Sequence, residues 1–79
     1  PSDTVWLGVS RIDPGGGTTL DASAVEKIYV VLDGEVAISN GEEEVTLRPW
    51  DSVRIAPGEK RALANRTAQP AAILLAMPV

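Results

Sequence analysis

Seventy-nine residues set the scale of one domain, and 7 basic against 11 acidic side chains leave a net charge of −4. That balance makes nucleic acid and anionic membrane poor partners. Neither cysteine nor histidine occurs, which excludes disulfides, thiolate metal sites, a thiol nucleophile and a Ser-His-Asp triad. With 44% hydrophobic and 23% charged residues the composition is globular. A chain this short buries only about 60% of the surface its unfolded form exposes, so a second copy is an expected source of stability.

In chain order the sequence reads as strands and turns. Residues 5–12 (Val-Trp-Leu-Gly-Val-Ser-Arg-Ile) are rich in β-formers. The cluster Asp13-Pro14-Gly15-Gly16-Gly17 ends that strand. Residues 21–26 are the one stretch able to nucleate a helix, and they are too few to sustain one. Residues 27–32 form a second strand, and Asp33-Gly34 is a hairpin signal. Residues 35–39 follow with a period of two, Asn40-Gly41 is a second hairpin signal, and residues 42–47 return. Arg48-Pro49-Trp50-Asp51 turns the chain, residues 52–55 alternate, and Pro57-Gly58 turns it again. Residues 61–66 and 71–77 complete the pattern.

Turn signals every 8–12 residues are the mark of an all-β sandwich or barrel. No repeat or linker interrupts residues 1–79, so one domain is expected. Lys27, Tyr29 and Val31 share one strand face, and Ile28, Val30 and Leu32 the other. One apolar face can fill a barrel; the other needs cover, and residues 71–77 are apolar on both faces too. A homodimer is therefore expected. The longest apolar run, residues 71–79, is far short of the roughly 20 residues of a spanning helix, and no leader pattern opens the chain. A soluble, cytoplasmic protein is expected, and the absent initiator methionine implies processing or trimming.

Two spacings resemble those of the cupin superfamily, small double-stranded β-helix (jelly-roll) barrels. Gly15, Asp21, Ser23, Lys27 and Gly34 fall at the fixed places of its first motif, G-x5-H-x-H-x3-E-x6-G. Trp50, Ala56, Gly58, Arg61 and Asn65 fall at those of its second, G-x5-P-x-G-x2-H-x3-N. The likeness covers residues 6–75. It implies an RmlC-like barrel, and it implies that a metal's three His and one Glu would stand where this chain has Asp21, Ser23, Arg61 and Lys27. Two of those four are cations, which repel a divalent ion. No metal and no cofactor are expected.

The resemblance places Asp21, Ser23, Lys27 and Arg61 at the barrel mouth, with Tyr29 one step along from Lys27. That set suits a small anion: Arg61 can fork onto a carboxylate, and Ser23 and Tyr29 can add hydrogen bonds. Lys27 can act as base or amine nucleophile, with Asp21 as its acid–base partner. Cofactor-independent isomerase, decarboxylase or cyclase chemistry follows from such a site. The alternatives are a ligand-sensing or dimerisation module without catalysis, and a cluster in which Asp21 simply pairs with Lys27 or Arg61.

Other features read as structural. The glycine run lacks the helix of a phosphate loop. Asn65 is expected to fix nearby backbone. Trp50 stands where the motif has glycine, and its ring is expected over the barrel end or a subunit contact. Trp6 is expected in the core or a dimer interface. Residues 42–44, three glutamates, read as a solvated tip. Pro1 alone would suggest a tautomerase, but the chain lacks the helix of that fold.

Overall fold

The computed structural model describes residues 5–78. Pro1, on which the tautomerase alternative turned, lies outside the described residues. Eight strands follow one another: β1 (Val5–Ile12), β2 (Asp21–Ala22), β3 (Lys27–Asp33), β4 (Val36–Ser39), β5 (Glu44–Leu47), β6 (Ser52–Ile55), β7 (Lys60–Ala64) and β8 (Ala71–Pro78). They form two four-stranded antiparallel sheets, ordered β1-β8-β3-β6 and β2-β7-β4-β5. The all-β architecture is the expected one.

Side-chain alternation decides what the two sheets enclose. In β3, Tyr29 and Val31 point inward and are 5% and 0% exposed. They meet Ile73 of β8 and Ile55 of β6 in the same sheet, and Val36, Ile38, Leu47 and Leu63 from the other. The opposite face of the first sheet is also apolar but uncovered: Leu7 and Val9 are 62% and 67% exposed. Ile28, also on that face, pairs with Ala76.

The Asp33-Gly34 signal is not a hairpin. β3 and β4 belong to different sheets, and the turn carries the chain between them. Gly34 sits at φ 74°, and a Cβ there would crowd the Pro70 carbonyl at 2.7 Å. Both facts call for glycine. Asn40-Gly41 does join a hairpin, with Ser39 opposite Glu44. Asn40 closes it by accepting hydrogen bonds from the amides of Glu42 and Glu43. The potential helix start at residues 21–26 instead contributes β2, which pairs with β7.

Of the two places expected for the Trp50 ring, the barrel end is not the one it takes. Trp50 lies at φ 74° in a turn closed by the Asp51 amide on the Arg48 carbonyl, and its side chain is 81% exposed. The ring does not cover the barrel end. Trp6 is 46% exposed and lays its ring across Gly8, where any Cβ would overlap it.

Asn65 is the buried polar residue among the described core, 1% exposed. Its amide nitrogen donates to the carbonyls of Ile12 and Gln69, and its oxygen accepts from the Thr67 amide and hydroxyl. Its backbone bonds Gly15 and Gly16. The expected backbone-fixing role is what the residue performs: it ties the β1–β2 loop to the β7–β8 turn.

Candidate functional site

The inner faces of β1, β3, β7 and β8 leave a cavity of about 480 Å³, within the range of small-molecule sites. Leu63, Ile73 and Leu75 give it aliphatic walls, and Lys27, Tyr29, Arg61 and Ser10 give it polar ones. Strand alternation explains the set: Lys27 and Tyr29 are two residues apart on β3, and Arg61 and Leu63 two apart on β7.

Arg61 is the centre of the arrangement. Its Nε donates to the Tyr29 hydroxyl at 3.3 Å, and Nη1 donates to the Asp21 carbonyl at 2.7 Å. A guanidinium has five N–H donors, so three remain after these two. Four arginines are paired on the surface: Arg11 with Asp13, Arg48 with Glu35, Arg54 with Glu26 and Arg66 with Glu44. Such exposed pairs contribute little to stability. Among the described residues, Lys27, Lys60 and Arg61 have no carboxylate partner. Asp13 also lines the cavity, but it is held by Arg11 at 2.7 Å.

The five residues singled out from the sequence do not all converge. Lys27, Tyr29 and Arg61 share the cavity wall. Asp21 stands opposite Arg61 in the β2–β7 register but meets it through its carbonyl, while its carboxylate accepts from the Ala22 amide. The Ser23 hydroxyl accepts from the Val25 amide. Neither Asp21 nor Ser23 lines this cavity. Neither an Asp21–Lys27 nor an Asp21–Arg61 ion pair forms.

Ser10 was not singled out from the sequence. Alternation along β1 places it on the face of Ile12, and its register partner is the core residue Ile73. A second, smaller cavity of about 180 Å³ shares Arg61 and is lined by Glu43, Glu59 and Lys60. It also escaped the sequence reading, because its carboxylates come from a hairpin tip and a turn that no motif joins.

The positions that the cupin resemblance assigns to metal ligands fit a metal poorly. Lys27 and Arg61 bring two positive charges to one wall, and neither side chain has a lone pair to give while protonated. Among the described residues no three of His, Cys, Asp and Glu stand together as an ion site.

Known proteins support the fold. A Thermus thermophilus protein of solved structure is 26% identical, with a TM-score of 0.88 over 99% of this chain and 75% of its own. The polyketide cyclase RemF from Streptomyces resistomycificus is 20% identical with a TM-score of 0.89, over 98% of this chain and 56% of its own. That likeness concerns the fold alone. A Mycobacterium tuberculosis protein named beta-D-galactosidase is 38% identical over 74 residues, 94% of this chain. The chain spans 64% of that relative's length. The family model described as Cupin domain matches residues 8–77, the same strands that build both sheets and the cavity, and the chain belongs to that family.

Proposed function

We propose that the protein binds a small carboxylate-type anion in the larger cavity, with Arg61 as the anchor. The observation that carries this reading is the unfinished hydrogen bonding of Arg61. Two partners fix its plane, three donors remain, and Lys27 adds a second cation to the same cavity. Two cations at the positions of metal ligands support binding through charge. A cofactor-independent isomerase, decarboxylase or cyclase step would draw on the deprotonated form of Lys27 as its base. Saturable binding without turnover would favour a ligand-sensing module. Titration calorimetry with pyruvate and acetate tests the binding. Arg61→Met is expected to weaken it at least tenfold, since charge-assisted hydrogen bonds are worth about 1.5–3 kcal/mol. Equal affinity in the folded variant would remove the proposal.

A second reading has its own observation. Glycoside hydrolysis uses two carboxyl groups, and Glu43 and Glu59 face the smaller cavity together. The relative named beta-D-galactosidase makes nitrophenyl β-D-galactoside the substrate to try. Release of nitrophenol that Glu43→Gln and Glu59→Gln each abolish would favour this reading over the first.

The uncovered face of the first sheet supports a homodimer. β1 is eight residues long, roughly 26 Å at strand spacing, and it presents Leu7 and Val9 outward beside Ile28 of β3. The flanking arginines, Arg11 and Arg54, are already neutralised, so two copies of net charge −4 can meet there without bringing like charges together. A monomer mass by sedimentation at micromolar concentration would count against it. A cytoplasmic location belongs to the same proposal, and cell fractionation tests it.

A further inference from the structure

The free charged groups lining the larger cavity, Lys27 and Arg61, are both cations. The Lys27 side chain makes no hydrogen bond or ion pair with any described residue, and its ammonium carries three donors. Arg61 retains three N–H donors after its bonds to Tyr29 and Asp21. The Tyr29 hydroxyl accepts from Arg61, which leaves its own proton to donate. The cavity's carboxylate, Asp13, already pairs with Arg11 and is 71% exposed. The wall is therefore rich in donors and positive, and it carries no counter-charge for Lys27 or Arg61.

The two cations are also set apart. Lys27 belongs to β3 of one sheet and Arg61 to β7 of the other. Tyr29 stands between them. It lies two residues from Lys27, roughly 7 Å along the strand, and its hydroxyl touches Arg61 Nε. A single carboxylate on Arg61 leaves the Lys27 ammonium without an anion partner.

We infer that the ligand of this cavity carries two carboxylates: a short dicarboxylate, one end held by Arg61 and the other by Lys27, with the Tyr29 hydroxyl donating to an oxygen between them. This rests on the carboxylate reading of the same cavity and narrows it. A ligand of this class offers acceptors to the donors of Lys27, Tyr29 and Arg61. Succinate and glutarate are short members of that class.

Titration calorimetry on the full chain separates the two levels of the argument. The probes are succinate and glutarate, each against its own monomethyl ester, at one fixed salt concentration. The diacid is expected to bind about tenfold tighter than its ester, the effect of one added charge-assisted contact. Lys27→Met is expected to bring the diacid down to the affinity of the ester and to leave the ester unchanged. Arg61→Met is expected to weaken both. Equal binding of diacid and ester to the unaltered protein overturns the two-carboxylate inference and leaves the single-anion reading standing. No binding of any of the four compounds overturns both. The diacid-to-ester ratio on the unaltered chain decides the question even if a variant fails to fold.

Discussion

Asn65 and Arg61 lie four residues apart at opposite ends of β7, and they finish their hydrogen bonding in opposite ways. Asn65 is 1% exposed, and its carboxamide makes two donated and two accepted bonds, to Ile12, Gln69 and Thr67. Arg61 makes two of five. Both are polar groups in a small barrel. One is complete without any other molecule, so its role is the fold. The other is oriented by Tyr29 and Asp21 but left unsaturated toward a cavity of about 480 Å³. The fold holds its guanidinium in place without using it up.

That contrast can be broken at either end. Asn65→Ala has the largest expected effect. It takes the side-chain partner from the Ile12 carbonyl and the Thr67 amide and leaves a hole at a 1% exposed position, each lost bond a penalty of about 1–3 kcal/mol before relaxation. A loss of at least about 3 kcal/mol is expected, read from urea denaturation. A loss below 1 kcal/mol would mean that water replaces the side chain, and Asn65 would not be the closed half of the comparison. Arg61→Met should cost far less, about 1 kcal/mol or under, because it gives up one bond to a hydroxyl and one to an exposed strand. Its melting temperature should fall by no more than about 4–8 °C. A fall as large as that of Asn65→Ala would make Arg61 a structural residue and shift the search for function elsewhere.

The same contrast explains what the sequence reveals and what it hides. Strands were legible where glycine and proline punctuate them: β1, β6 and β8 begin where expected. Pairing was less legible. Asp33-Gly34 has the composition of a hairpin turn, yet it carries the chain from one sheet to the other. A two-residue signal encodes the bend, while the apolar faces of β3 and β8 decide that these two strands pair. β2 has two residues and no periodicity to read. In the site, Lys27 and Arg61 followed from the cupin spacing, and Tyr29 from its alternation with Lys27. Asp21 and Ser23 occupy motif positions too, but short polar side chains bond their own backbone when it is near. Asp21 accepts from Ala22 and Ser23 from Val25. Spacing gives the address of a side chain, and its length decides whether it reaches the cavity.

Trp50 sharpens the comparison from outside both halves, with the smallest expected effect. Its turn places proline first and then a residue at φ 74°, a conformation that suits glycine. In an L-residue with a bulky side chain the left-handed region costs roughly 1–2 kcal/mol. The indole is 81% exposed, so little packing offsets that strain. The turn's backbone bonds, Trp50 amide to Val31 carbonyl and Val31 amide to Asp51 carbonyl, do not need the ring. Trp50→Gly is therefore expected to stabilise the chain, by about 1 kcal/mol at most, because glycine's greater freedom in the unfolded state takes back part of the gain. Anion binding should be unchanged, since Trp50 lines neither the larger nor the smaller cavity. Thermal melts of the two proteins side by side check the sign. A destabilised variant would mean that the ring makes contacts worth more than the strain, and a weakened anion affinity would mean that the turn and the Arg61 wall are coupled.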